Sequence, residues 1–193
     1  MGLDIFFYKH TTSNDIIKND IDALAEARRD SRKAELPMEQ VKELVAKKDK
    51  ETLIAILESY KVYGFEFVRL EDCAEDEIEY WVNSIIESYT NREDMYYRKV
   101  NLLYAYFADR LDNESCIVTR HDCEDIIKKC EIVLEKEDES ISESLLPTQG
   151  GFFFGSTQYD DNYYYDVRDV LNQFKEYLNN WTDETIGWVY FSW

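Results

Sequence analysis

Three of the chain's six glycines fall in one stretch, Gly150-Gly151-Phe152-Phe153-Phe154-Gly155-Ser156-Thr157, just ahead of a helical pattern. Glycine lets a backbone turn and approach a ligand closely, and a following helix N-terminus supplies free N–H donors, so the stretch has the makings of a phosphate cradle. Its candidate ligand-binding residues are Thr148, Gly151, Gly155, Ser156, Thr157 and Asp160, joined by Arg98, Lys99 and Asn101 from a polar stretch upstream. Against the cradle, Asp160 and Asp161 repel a phosphate unless Arg98, Lys99 or a metal offsets them. Thr157 and Asp160 also have capping-box spacing, which accounts for both structurally. Asp94, Arg98 and Asn101 recur at i, i+4 and i+7, the spacing of one polar helical face with an exposed ion pair.

Carboxylates are the second concentration of chemistry. Lys and Arg number 22 against 41 Asp and Glu, a formal charge of −19 that repels nucleic acid and anionic membranes. The excess is uneven. Basic residues prevail over 28–50, whereas 66–94 and 109–143 are acidic, with Glu75, Asp76, Glu77 and Glu79 in one cluster and Glu135, Glu137, Asp138 and Glu139 in another. A solvated acidic surface explains such runs. The sharper reading is a face that imitates nucleic-acid phosphates and enters the basic groove of a partner protein.

Thiol and imidazole chemistry have little to work with. Cys116, Cys123 and Cys130 recur every seven residues, with His121 two before Cys123. Seven residues of helix rise about 10.5 Å, too far for a shared zinc or a disulfide. Cysteine on an apolar stripe behaves as a small hydrophobe, so free, packed thiols are expected here and at Cys73. His10 and His121 are the only histidines, and neither a metalloprotease HExxH, a Walker loop, a GxGxxG fingerprint nor a Cys-x-x-Cys pair is present. No catalytic residue, metal or cofactor is assigned.

These groups need a scaffold. With 193 residues, 45% hydrophobic and 15% aromatic, the chain has ample material for a core, and two prolines exclude a linker-rich protein. No secretory signal is evident, which places the protein in a reducing cytoplasm, and no apolar run approaches the roughly 20 residues that span a bilayer. Leu3 to Tyr8 reads as a strand. Helices are expected over about 14–33, as a kinked pair from Pro37 to Leu57, from Asp72 to Tyr89, after Asn91 with Tyr97 to Phe107 facing inward, from Thr119 to Leu134, and over about 160–180. Tyr60 to Leu70, rich in Val, Tyr and Phe, reads as a strand with a bulge at Gly64, Cys116 to Val118 and Ile186 to Trp193 as short strands, and Leu145 to Phe154 as extended. The order lacks regular βαβ alternation. The expected fold is α+β, a helix-rich single domain over 1–193 with a small sheet of terminal and central strands, and a helical subregion over 12–60.

Met1 to Tyr8, Tyr96 to Phe107 (YYRKVNLLYAYF), Leu145 to Asp166 (LLPTQGGFFFGSTQYDDNYYYD) and the closing Ser192-Trp193 together resemble one family, short bacteriophage and prophage proteins that begin Met-Gly-Leu-Asp. The resemblance covers about a quarter of the chain, with Tyr97 where the family pattern has Trp and Tyr104 where it has His. It implies a mobile-element origin and a site of action in the bacterial cytoplasm, and it places the family's polar pattern on Arg98, Lys99, Asn101, Thr148, Ser156, Thr157, Tyr159 and Asp160. The function expected is a non-catalytic acidic protein that inhibits a host nucleic-acid-handling or defence protein bearing a basic surface, similar in strategy to DNA-mimic and anti-CRISPR inhibitors. Direct binding to nucleic acid or membrane is not expected. The rival is a site that binds or hydrolyses a nucleotide or other phosphate compound at the glycine segment. A second alternative is an accessory phage protein without a ligand.

Overall fold

The computed structural model describes residues 2–60, 62 and 65–193, with side chains throughout except at Phe65 and Glu66. In chain order the elements are β1 (Asp4–Thr11), α1 (Ile21–Ala34), α2 (Met38–Lys47), α3 (Lys50–Ser59), α4 (Phe65–Asp72), α5 (Ile78–Asn91), β2 (Met95–Arg98), α6 (Asn101–Phe107), β3 (Ser115–Val118), α7 (Arg120–Lys136), α8 (Glu139–Leu145), α9 (Asp161–Tyr177) and β4 (Thr185–Ser192). Nine α-helices and one four-stranded antiparallel sheet among the described residues make the fold α+β and helix-rich, as the sequence predicts. The chain forms two compact units, Met1–Ile21 with Glu93–Trp193, and Asp22–Arg92.

In the first unit the sheet runs β2-β1-β4-β3, so the two terminal strands lie side by side in its middle, in register from Asp4↔Ser192 to Thr11↔Thr185. Strand alternation sends Leu3, Ile5, Phe7, Met95, Tyr97, Cys116, Val118, Val189 and Phe191 to one face. There they meet Leu103 and Phe107 of α6, Cys123, Ile126 and Cys130 of α7, and Val167, Val170 and Phe174 of α9. Phe7 is fully buried, with edge-on contacts to Phe107 at 5.9 Å and Phe174 at 5.3 Å. Burial of one such ring contributes roughly 1.5–3 kcal/mol. Gly187 is required by close approach, since a Cβ there would lie 2.6 Å from the Tyr177 hydroxyl and 3.2 Å from the Val118 carbonyl oxygen. At the start of α7, Thr119 and Asp122 form the expected capping box, and buried Asp122 also accepts an ion pair from Arg110 at 2.9 Å.

The second unit is helical. Leu44, Leu53, Leu57, Leu70, Ile78, Val82 and Ile85 form its core. The expected kinked pair is a hairpin in which Lys48 adopts a left-handed conformation (φ 58°) and Asp49 caps α3 by accepting from the Thr52 amide. Buried Arg28 donates to the Thr90 and Arg92 carbonyls at 3.3 and 2.7 Å, meeting acceptors that the end of α5 leaves open.

Several expected boundaries differ. The first helix begins at Ile21, because Thr12 and Asn14 accept from the amides of Asn14 and Ile16 in successive turns and never cap a helix. Of the strand expected over Tyr60 to Leu70, residues 65–70 are instead part of α4, where Phe67 and Leu70 enter the core at helical spacing and override their local β propensity; the Gly64 bulge lies outside the described residues. Asp72 ends α4, and Glu77 stands at the N-cap of α5. Asn91 ends α5, and residues 95–98 form a strand, because Met95 and Tyr97 fill the sheet's inner face at period two. The polar helical face of Asp94, Arg98 and Asn101 therefore does not exist. The acidic turn of Glu137 to Glu143 carries α8, so the expected extended stretch begins after Leu145. Asp160, accepting from the Asn162 and Tyr163 amides, is the N-cap of α9 in place of Thr157.

Candidate functional site

One corner of the first unit brings together parts of four stretches, residues 2–8, 96–107, 145–166 and 192–193. The Leu3 amide donates to the Phe153 carbonyl at 3.0 Å, and the Lys99 amide to the Leu3 carbonyl at 2.7 Å. Gly2 is buried under the Arg98 and Lys99 side chains, whose nearest atoms would lie 3.4 and 3.2 Å from an added Cβ. Buried Asn101 donates both amide hydrogens into the loop, to the carbonyls of Phe154 (3.2 Å) and Ser156 (2.7 Å). Tyr104 packs on Phe154, Phe191 and Trp193. The expected ligand residues are thus brought together, and most of their polar atoms serve the loop itself. Thr148 Oγ1 donates to the Thr157 carbonyl, Ser156 Oγ accepts from the Gln158 amide, and Asp160 caps α9.

Both conformational demands on glycine are met here. Gly155 has φ +93° against the Lys99 side chain and carbonyl, and Gly151 lies where a Cβ would be 2.8 Å from the Phe154 ring. At the tip, Phe152 is 96% exposed. Arg98 and Lys99 are exposed, with Arg98 Nε 3.9 Å from Asp4.

The two acidic clusters fall in different units. Glu75, Asp76, Glu77 and Glu79 are exposed around the start of α5, where Glu75 pairs with Lys48 at 2.9 Å and Glu77 accepts from the Ala74 amide. Glu135, Glu137, Asp138 and Glu139 are exposed at the α7–α8 junction. Asp138 is the N-cap of α8, Glu139 stands in its first turn, and Lys136 pairs with Glu135 and holds its carboxyl below the usual glutamate range. Glu137 forms the C-cap of α7 in a left-handed conformation, φ 45°.

Cys116, Cys123 and Cys130 are buried free thiols and Cys73 is a half-buried one. Burial pushes Cys116 up to about 11 and Cys123 and Cys130 up to about 12, so they remain protonated and inert at neutral pH. Among the described residues no group of three or more His, Cys, Asp or Glu is placed to hold a metal ion, and no helix is long and apolar enough to cross a membrane.

Two features escaped the sequence reading. In the second unit, a cavity of about 410 Å³ is lined by Arg29, Asp30 and Lys33 of α1, Met38 of α2, and Asn83, Ile86, Glu87, Thr90 and Asn91 of α5. Helical spacing of Arg29 with Lys33 and of Asn83, Glu87 and Asn91 signals the two walls, but only the pairing of the helices makes them face. In the first unit, the sheet face opposite the core carries Phe6, Tyr8, Trp188 and Tyr190 from the two terminal strands, and Tyr96 joins them only because 95–98 is a strand. No protein-family model matches the chain, and neither a curated protein nor a solved structure is significantly similar to it.

Proposed function

We propose that the chain is a bacteriophage- or prophage-derived acidic protein that binds a nucleic-acid-handling or defence protein of the bacterial host and inhibits it by occupying a basic groove. The observation that supports this most is the α7–α8 junction. Glu135 and Glu137 stand at the negative end of a 17-residue helix, where a cation is favoured, and Glu137 holds a left-handed backbone position that usually goes to Gly or Asn. Glu135 is compensated by Lys136, whereas the Glu137 side chain has no partner among the described residues, and a local rule broken without a local gain is expected where function needs the residue. Asp138 and Glu139, by contrast, suit the start of α8, so the cluster stays ordered while presenting carboxylates outward.

Binding kinetics with a basic partner recovered from host lysate test the reading. Association should fall about ten-fold or more from low to high salt, and the joint reversal of Glu135, Glu137, Asp138 and Glu139 to Lys should slow association more than it speeds dissociation. Salt-insensitive association, or tight direct binding of the protein to DNA, would remove the mimicry mechanism.

A second reading, a small anionic ligand, is favoured by one observation: Arg29 and Lys33 at the cavity, though Asp30 and Glu87 also line it, have no ion-pair partner among the described residues. A panel of nucleotides and phosphorylated metabolites should then raise the melting temperature through native-state binding, with Arg29→Ala abolishing the shift and Arg98→Ala leaving it. Loss of the shift in Arg98→Ala alone would return the ligand to the glycine loop.

A further inference from the structure

The outer face of the sheet carries a row of three rings across β2, β1 and β4. Phe6 is directly opposite Tyr96 on one side and Tyr190 on the other, with centroids at 5.3 and 6.3 Å. Farther along, Tyr8 stacks on Trp188 at 5.4 Å and 16°, and Trp188 is buried. The row itself is open: Tyr96 and Tyr190 are 41% and 39% exposed.

Each end of the row is closed by a carboxylate. Tyr96 Oη donates to Asp4 Oδ1 at 2.5 Å, and Tyr190 Oη lies 3.5 Å from Glu114 Oε2. Glu114 is fixed there by a tight turn between Asp112 and Ser115, in which Asn113 and Glu114 both have positive φ, 45° and 68°. Such a turn ordinarily takes Asn-Gly; a glutamate in its second position accepts an unfavourable backbone to place a carboxylate beside Tyr190. Arg98, beside Asp4, is the one cation at the row among the described residues, against the two carboxylates of Asp4 and Glu114.

Elsewhere in this unit the chain covers its rings with its own cations: Lys9 lies over Tyr177, Arg110 over Phe107 and Lys129 over Tyr106. None covers Phe6, Tyr96 or Tyr190 among the described residues. Ring faces attract cations, arginine most often, and Tyr is among the residues that dominate interface energetics. From the open ring row and its acidic ends we infer that this sheet face docks an arginine-bearing segment of a partner protein, its guanidinium groups stacking on Tyr96, Phe6 and Tyr190 and pairing with Asp4 and Glu114.

This rests on the reading that the protein binds a basic partner, and it moves the main contact from the acidic helix junction to the sheet. The same −19 charge that disfavours a nucleic-acid strand on these rings favours the cationic peptide.

Labelled nona-arginine and nona-lysine carry equal charge and separate stacking from charge alone. The full chain should bind nona-arginine about three- to ten-fold more tightly, as expected for one or two exposed cation–ring contacts. The paired change Tyr96→Thr with Tyr190→Thr, which keeps β propensity, should reduce that ratio to near one, whereas Tyr96→Phe with Tyr190→Phe should preserve it. Reversal of the Glu135–Glu139 cluster should weaken both peptides and leave the ratio unchanged. Should the Thr pair not fold, ring-proton shifts of Phe6, Tyr96 and Tyr190 on titration of the native protein decide the matter. A ratio unaffected by ring removal, or rings unmoved by nona-arginine, overturns the sheet site while the acidic-junction reading survives. Failure of both peptides to bind overturns both. Binding of oligo-thymidine that the Thr pair abolishes would reassign the face to single-stranded nucleic acid, and a native dimer that the Thr pair dissociates would reassign it to self-association.

Discussion

Asp166 lies half-buried on α9, and among the described residues its carboxyl has no hydrogen-bond or ion-pair partner. Burial first, then the neighbouring charges of Asp169 and Asp160, pushes its pKa up to about 6. The folded protein therefore binds a proton that the unfolded chain has already released between about pH 4 and pH 6, so this residue makes stability fall as pH rises through that window. Asp166→Asn should raise stability at pH 7 to 8 by on the order of 1 kcal/mol, after allowance for solvent screening of a half-exposed group, with no difference below pH 4. Urea unfolding of both proteins across pH checks it; an equal effect at pH 3.5 and 7.5 would mean that Asn acts through packing. Such a site is invisible in sequence, where Asp166 stands between three tyrosines and Val167 with nothing to mark its burial. The packed thiols were readable, because Cys123 and Cys130 share the stripe of Ile126 and Leu134.

Loop 147–160 is tied from outside by the Asn101 side chain and the Leu3 amide. Asn101→Asp keeps the shape and turns two donors into a carboxylate facing the Phe154 and Ser156 carbonyls, so a loss of about 2–4 kcal/mol is expected. Proteolytic cleavage within 147–160 should rise well before the rest of the chain unfolds; unchanged cleavage would show that the Leu3 amide, with Tyr163 holding Leu146 at the base of the loop, suffices. Element types were legible where period and cap agree, as in α7 with Thr119 and Asp122, α9 with its stripe of Val167, Val170 and Phe174, and the aromatic β1. They were misread where rings mislead. Tyr, Val and Phe around 60–70 suggest a strand, yet residues 65–70 belong to α4, while Tyr97 and Val100 suggest one helix although a strand ends between them at Arg98. In both places the packing partner decides: the neighbouring α3 and α5 for α4, and the distant β1 for residues 95–98.

At the scale of the whole molecule, the net charge and the fold class were readable from composition and element order. The grouping was not: residues 22–92 close on contacts among themselves, a boundary marked by no Pro, Gly or Ser-rich linker. The candidate site was legible in part. The segments that meet at the corner could be named, but whether Asn101 faces a ligand or a backbone depends on distances that spacing does not contain. The pairing of β1 with β4 also sets an order of events during synthesis. Asp4 cannot meet Ser192 until nearly the entire chain described here has left the ribosome, and the cysteine-bearing α7 has no finished sheet to pack on before then. The helices of residues 22–92 need no such delay. A nascent chain therefore carries Phe6, Phe7 and Tyr8 exposed while its helical insert is already folding, which makes β1 the segment most in need of a chaperone.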